Sequence, residues 1–511
     1  MLDLNARLTR LIRRASSANA PMTVGLVFAC AFLTTFQGRL FGMSLPDLRG
    51  DFGLDVIQGA WLSAAMNAGQ LLIMPITVWL SLIFGPARVI MVPSLTLALT
   101  TAMIPFARDY QLLLAMHLIV GLCLGTYLPL TMSMALRNLK PHHWLWAMAI
   151  YSLRLSFGTD VGVGASGVFV DHFDWRWIYW TTTALCPMLA FAAWKALPIG
   201  PIDRETFKST DWGGMAMFCL SLSMLAAAFS LGETLGWFDS SVIVAGFVVG
   251  AVLLAACLAH IGLNPAAFVN FKPLGNHNVR TALLIACLYA ILVTPTSVLI
   301  PSFLTTVAKM KPLQTGAATV LVFATYLAMT PVAVWLARRV DSRLLLILGV
   351  TIIAGLCVYC GSTMTSAWRL EDVTPLLILF AIGECLTLMG TFPVVVLNMN
   401  PAYGVAIGAY IPLVRIFVPS VVSGMSALTL RVAADTHDEA LRAGIEAGQP
   451  LVTQRVAGNL GTLVSDLARE SSVLSFIDGF HLVFCVAMVV LLLAATLKPA
   501  PPNHLTPPKL V

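Results

Sequence analysis

Residues 240–262 read SSVIVAGFVVGAVLLAACLAHIG, a run without one Asp, Glu, Lys or Arg. About 20 apolar residues is the length an α-helix needs to cross the hydrocarbon core of a bilayer, whereas a barrel strand needs about 10. The run also lacks the strict alternation of barrel strands. Inside lipid every backbone N–H and C=O must be paired within the segment, so this stretch predicts a transmembrane helix. Runs of the same kind recur along the chain. With 240–262 they give fourteen spans, at about 22–45, 57–82, 88–106, 111–135, 145–170, 176–197, 212–232, 240–262, 280–306, 314–337, 344–366, 374–398, 404–429 and 476–497.

Composition agrees with that reading. The chain is 58% hydrophobic and 11% charged, against about 25% charged in a soluble domain. A soluble protein so apolar could not cover its own surface. The net charge of +6 points to loop Lys and Arg that set orientation, and no nucleic-acid partner is expected. If the N-terminus is cytoplasmic, that side carries Arg7, Arg10, Arg13, Arg14, Arg88, Arg137, Lys140, Lys195, Arg204, Lys208, Lys272, Arg280, Arg338, Arg339, Arg343, Lys498 and Lys509. The short opposite loops hold only Arg49, Arg108, Arg176, Lys309, Lys311 and Arg369. Both termini are therefore expected in the cytoplasm. The first apolar run is too long for a cleavable signal and ends without a small-residue cleavage site. The 10 Cys lie almost entirely within apolar runs, and Cys357-x-x-Cys360 falls mid-span, where apolar packing is expected.

A faint repeat divides the chain. Leu80, Gly85 and Arg88 follow the second span; Leu336, Arg338, Arg339, Asp341 and Arg343 follow the tenth. This predicts two homologous six-helix halves, residues 22–197 and 280–497. A segment 198–279 with two inserted helices lies between them, a basic segment 1–21 precedes them and a tail 498–511 follows. Repeated halves suit alternating access around a midplane site. Segment 430–475 is the one sizeable polar piece. Its Leu451, Val452, Val456, Leu460, Leu463, Val464 and Leu467 recur at near-helical spacing, which predicts either a solvated loop with one short helix or an amphipathic helix on the outer face.

Ionisable side chains inside spans are costly, at least about 2.5 kcal/mol each, and are functional by default. Six stand out: Arg39, His117, Arg154, Asp160, Glu384 and Arg415. Arg does not deprotonate in a protein, so Arg39, Arg154 and Arg415 are candidates for substrate contact or for carboxylate pairing. Glu384 and Asp160 are the candidates for proton coupling, because burial and nearby Arg pull a carboxyl in opposite directions. His117 is a third coupling candidate or a hydrogen-bonded packing residue. Arg154 and Asp160 are six residues apart, about 240° around a helix, and are not expected to pair simply. Three Arg against two carboxylates favour a neutral or anionic substrate. Gly158, Gly162 and Ser166 form a row of small residues, with Gly164 and Gly167 on another face; such rows permit close packing or sliding. Trp175, Trp177, Tyr179 and Trp180 are expected in the interfacial belt.

Several local patterns resemble the fourteen-helix drug:proton antiporter family of the major facilitator superfamily. Trp175-Arg176-Trp177-Ile178-Tyr179 is similar to its W-R-W-I-F at the start of helix 6. Gly121, Gly125 and Pro129 are spaced as in its helix-4 motif. Gly162, Gly164 and Gly167 form a degraded G-P-x-x-G-G. Phe271-Lys272 with Asn278 resembles L-F-x-x-R-x-F, and Arg415 matches a frequent Arg of helix 13. Departures are concentrated at charged positions. Gln37 replaces the helix-1 acid and Arg39 follows it; Leu82-Ile83-Phe84-Gly85 replaces D-R-x-G; His117 replaces the helix-4 Arg; Val163 replaces the helix-5 Pro. The resemblance implies a divergent member with the major facilitator fold. It implies a central cavity lined by Arg39, Gln37, Arg154 and Arg415, and conformational roles for Gly121, Gly125, Gly158, Gly162, Gly167, Arg339, Asp341 and Arg343. It further implies export of a small organic compound against protons across a bacterial inner membrane, and a periplasmic adaptor docking through 430–475. A proton-linked uptake symporter of an organic anion is the alternative; a membrane enzyme or a non-transporting sensor subunit belongs to another class. No nucleotide or metal motif is present in the sequence, and no cofactor is expected.

Overall fold

The computed structural model describes residues 20–264, 268–269, 271–398, 410–446 and 460–498. The basic segment 1–19, residues 404–409 of the thirteenth span, Leu451, Val452 and Val456, and the Pro-rich tail from 499 lie outside the described residues. The secondary structure described is helical throughout. In chain order we label α1 (Ala20–Phe52), α2 (Val56–Phe84), α3 (Pro86–Phe106), α4 (110–138), α5 (144–172), α6 (Arg176–Ala196), α7 (Trp212–Leu235), α8 (Ser241–Leu263), α9 (His277–Thr306), α10 (Pro312–Ala337), α11 (Ser342–Thr363), α12 (Leu370–Asn398), α13 (410–446) and α14 (Leu460–Thr496).

Among the described residues, 12 helices are long and apolar enough to cross a membrane. The other two, α5 and α6, stand at the fifth and sixth predicted spans. Arg154 and Asp160 in α5, and Arg176 and Lys195 in α6, lower their hydropathy. The arrangement is consistent with fourteen crossings.

Helix ends follow elementary capping. Asp55 accepts from the Gln58 N–H at 2.6 Å while the Gln58 side chain accepts from the Asp55 N–H at 3.0 Å, a capping box that starts α2. Asp109 and Asp211 likewise accept N–H groups at the starts of α4 and α7. Much of the sparse acid content thus sits at helix ends, where a carboxylate satisfies orphan donors. The turn between α2 and α3 runs through Gly85 at φ +84°, a conformation that a residue with a Cβ rarely adopts.

The repeat predicted from the turns has a structural counterpart. Arg88 donates through Nη1 to the Gly200 carbonyl at 2.8 Å, just beyond α6. Arg343 donates through Nη1 to the Leu497 carbonyl at 2.9 Å, just beyond α14. Each half therefore has an Arg after its second helix tied to the end of its last helix. Asp341 caps α11 and also pairs with Arg343 at 2.7 Å. Burial alone would raise the Asp341 carboxyl, but the hydrogen bonds from Arg343 outweigh it and hold it below its ordinary value. Arg343→Ala is expected to remove this clamp. A charge-assisted hydrogen bond contributes about 1.5–3 kcal/mol, so in a chain of this length the thermal midpoint should fall by about 1–3 °C. Arg343→Lys should restore part of the loss. An unchanged midpoint for Arg343→Ala would refute the clamp.

The inserted helices are not a loose linker. α7 packs on both α2 and α13. A Cβ on Gly424 would lie 2.1 Å from the Phe229 carbonyl, so α13 and α7 meet backbone to backbone. α8 covers α7 and presents most of its surface outward.

Segment 430–475 differs from both expectations. Its described parts are continuations of the membrane helices: α13 runs on to residue 446, and α14 already begins at Leu460. Residues 430–446 add roughly 25 Å of helix beyond the predicted span. The projection is held by Arg431 bonding Glu233 of α7, by His437 with Asp478 at 2.8 Å, and by Ser366 donating to Glu470 at 2.6 Å. The polar residues expected in a loop are thus the outward faces of a helical pair.

The aromatic belt is also only half as expected. Trp177 is exposed, but Trp175 and Tyr179 are buried. Trp175, the N-cap of α6, and Tyr179 in its first turn are both buried, and Trp175 donates to Asp51 at 2.9 Å.

Candidate functional site

The site begins with glycines. A Cβ on Gly158 would lie 2.4 Å from Thr35 Cγ2, and one on Gly162 would lie 2.8 Å from Arg39 Cγ. Two glycines four apart on α5 thus form a groove that receives two side chains four apart on α1. Arg39 is thereby brought beside Asp160, with which it interacts electrostatically. On its other side α5 meets α10. A Cβ on Gly316 would lie 2.7 Å from the Gly164 Cα, and Thr319 donates to the Asp160 carbonyl at 3.0 Å. α5 therefore carries Asp160 where the two halves meet.

Asp160 lies in a π-turn, Phe157–Val161. Its carboxylate accepts the Ser156 hydroxyl at 2.5 Å. Two other π-turns flank the site: Pro295–Leu299 in α9 and Leu413–Phe417 in α13. The first holds Thr296, whose hydroxyl donates to Glu384 Oε1 at 2.6 Å. The second holds Arg415. Such insertions widen a helix locally, shift the phase of the side chains beyond them, and often occur at functional sites.

Glu384 is buried, and its hydroxyl partner suits either protonation state. When ionised, it accepts from Thr296. When protonated, it can donate to the Thr296 oxygen, because that hydroxyl has a second acceptor, the Val293 carbonyl at 3.1 Å. Asp160 is close enough to act on Glu384 through space.

The guanidiniums form a second cluster. Arg154 is 0% exposed. It donates to Thr35 at 3.0 Å and stacks over Tyr151, 4.4 Å from the ring centre. Arg415 is the cation that acts on it through space. Tyr151, Tyr289 and Tyr326 interact electrostatically with Arg415. Arg154 Nη2, Arg415 Nε and Arg39 Nε are buried atoms without a hydrogen-bond partner among the described residues.

Other predicted residues lie elsewhere. Gln37 is buried between α1 and α6, accepting from Thr182 at 2.5 Å. His117 is fully buried. Its Nδ1 meets the Leu113 carbonyl at 2.8 Å and its Nε2 meets the Tyr179 hydroxyl at 3.0 Å. A carbonyl only accepts, so Nδ1 carries the proton and neutral His117 is satisfied at both nitrogens. Gly121 and Gly125 sit where α2 crosses α4, and Gly167 is buried in α5. Arg339 stacks over Trp335 at 4.3 Å, with Asp341 and Arg343 nearby at the turn. Sequence reasoning missed Thr35, Ser156, Thr296, Thr319 and the three tyrosines. Pro295, in one π-turn, and Pro412, just before another, were the only signals available.

Buried carboxyls and guanidiniums on helices that cross the membrane suit a membrane transporter, and the comparisons with known proteins give that class. Residues 27–427 match the Major Facilitator Superfamily, and the chain belongs to that superfamily. It is 23% identical over 355 residues to the multidrug export protein EmrB of Haemophilus influenzae, covering 69% of this chain and 67% of that protein. Against EmrB of Escherichia coli K12 the values are 22% identity, 63% of this chain and 62% of the relative. The matched stretch thus spans about two thirds of those relatives. The fold resembles the crystal structure of an auto-inhibited POT family peptide transporter, with a TM-score of 0.56, 14% identity, and 95% and 98% of the two chains covered.

Proposed function

We propose that this chain exports small organic compounds in exchange for protons by alternating access, with Glu384 as the principal proton carrier and Asp160 as its coupled partner. The observation that carries this reading is the Thr296 hydroxyl beside Glu384, which serves both its ionised and its protonated form. The names of the relatives, multidrug export proteins, support the direction. Arg39, Arg154 and Arg415 are the proposed substrate contacts. Gln37 is proposed to orient α1 against α6, and His117 to anchor α4 to α6. The glycines at 121, 125, 158, 162 and 167 and the turn residues Arg339, Asp341 and Arg343 are proposed to set how the helices move. We place the protein in a bacterial inner membrane with both termini cytoplasmic, and the projecting ends of α13 and α14 as the docking surface for a periplasmic adaptor.

Inverted vesicles with an acidic interior test this directly. The proton gradient is expected to drive compounds into the vesicles, and collapse of the gradient should end accumulation within the dead time of the assay. Flux driven in the opposite direction would replace the exporter with an uptake symporter.

A further inference from the structure

Two buried guanidinium donors stand out: Arg154 Nη2 on α5 and Arg415 Nε on α13. Among the described residues neither atom has a hydrogen-bond partner. The two cations repel each other, and Tyr289 and Tyr326 interact electrostatically with both Arg415 and Glu384. Unpaired buried donors and like charges are each costly. A ligand carrying an acceptor group relieves both costs at once.

We infer that the substrate is amphoteric: a carboxylate or equivalent acceptor lies between Arg154 and Arg415, and an amine or other donor of the same molecule lies on Glu384. The second half follows from linkage and rests on the exporter reading. An anion alone adds negative charge beside Glu384 and Asp160 and so favours their protonation. Proton and substrate would then bind together, and by reciprocity each would promote the other. That coupling carries both in one direction. A donor group reverses it, because an N–H on Glu384 occupies the carboxylate that the proton needs. An acceptor end supplies affinity from the guanidiniums, and a donor end supplies exchange against protons.

The test uses the purified full-length protein and three matched probes: benzoate, benzylamine and 4-(aminomethyl)benzoate. Calorimetry in two buffers of different ionisation enthalpy measures affinity and proton release together. The zwitterion should bind at least about tenfold more tightly than either single-function probe, which is what one charge-assisted contact provides, and it should release protons. Arg415→Gln should reduce the zwitterion to the affinity of benzylamine. Glu384→Gln should abolish proton release and reduce the zwitterion to the affinity of benzoate. Arg154 is wholly enclosed and its replacement risks misfolding, so partly exposed Arg415 is the decisive variant. Equal binding of benzylamine and the zwitterion, indifference to Arg415→Gln, absence of proton release, or no binding of any probe at millimolar concentration would each overturn the proposal. If the binding pattern holds while gradient-driven flux runs inward, the acceptor site stands and the exporter reading falls.

Discussion

Glu384→Gln is expected to reduce gradient-driven accumulation in inverted vesicles to that of vesicles without the protein, while exchange of labelled for unlabelled substrate continues. Gln has the shape of the protonated acid and can still donate to the Thr296 oxygen. The helices therefore keep the packing of one protonation state, and the chain loses the ability to reach the other. The driving force is lost, while exchange persists at substrate concentrations raised to offset the weaker binding. Asp160 is also carboxylic and buried, but its Ser156 hydroxyl lies on its own helix, whereas the Glu384–Thr296 bond joins α12 to α9. Its protonation changes a contact between helices, and so Glu384 is expected to show the larger effect. Accumulation by Glu384→Gln equal to wild type would remove Glu384 from the mechanism. Loss of exchange at saturating substrate together with accumulation would assign it to packing.

Gly121→Ala is expected to prevent accumulation of folded protein, or to lower its thermal midpoint more than a methyl group added at Gly162, whose nearest neighbours are the side-chain carbons of Arg39. A Cβ on Gly121 would lie 2.1 Å from the Met66 carbonyl oxygen and 2.9 Å from its carbon. Across the same crossing, a Cβ on Gly69 would lie 2.5 Å from the Leu118 carbonyl. These neighbours are backbone, so neither can rotate away. Overpacking of a core typically costs about 1–3 kcal/mol, and a clash between two backbones belongs at the upper end. Gly38→Ala is the matched control. It lies in α1 with nothing within 4 Å of its Cβ position, and in a helix interior Ala is favoured over Gly by about 1 kcal/mol. Melting curves of the two variants in the same detergent should separate clearly. If they coincide, the α2–α4 crossing yields to a methyl group and is not a backbone contact.

The spans themselves were legible because lipid imposes one requirement on every residue of a helix. Long apolar runs follow from it whatever the neighbours are, and the run at 240–262 appears as α8, Ser241–Leu263. The repeat was legible as a pattern of turn residues, but its physical content, an Arg tied to the end of the last helix in each half, depends on carbonyls at Gly200 and Leu497 more than a hundred residues away. The projecting ends of α13 and α14 were not legible, because polar composition signals the end of the membrane and not the end of a helix.

The sequence by itself determined that this chain is a bundle of membrane helices and that Arg39, Arg154, Asp160, Glu384 and Arg415 stand within its spans at a cost that calls for a use. Each is a local property, set by composition against the bilayer. Tertiary structure alone decided which of them act together. Gly158 and Gly162 seat Thr35 and Arg39, three π-turns re-aim Asp160, Thr296 and Arg415, and His117 is satisfied by Tyr179 from another helix. The physical reason is that a helix presents its side chains by rotation as much as by position. One inserted residue in a turn, or one absent Cβ at a crossing, changes which groups from distant parts of the chain come within a hydrogen bond of each other.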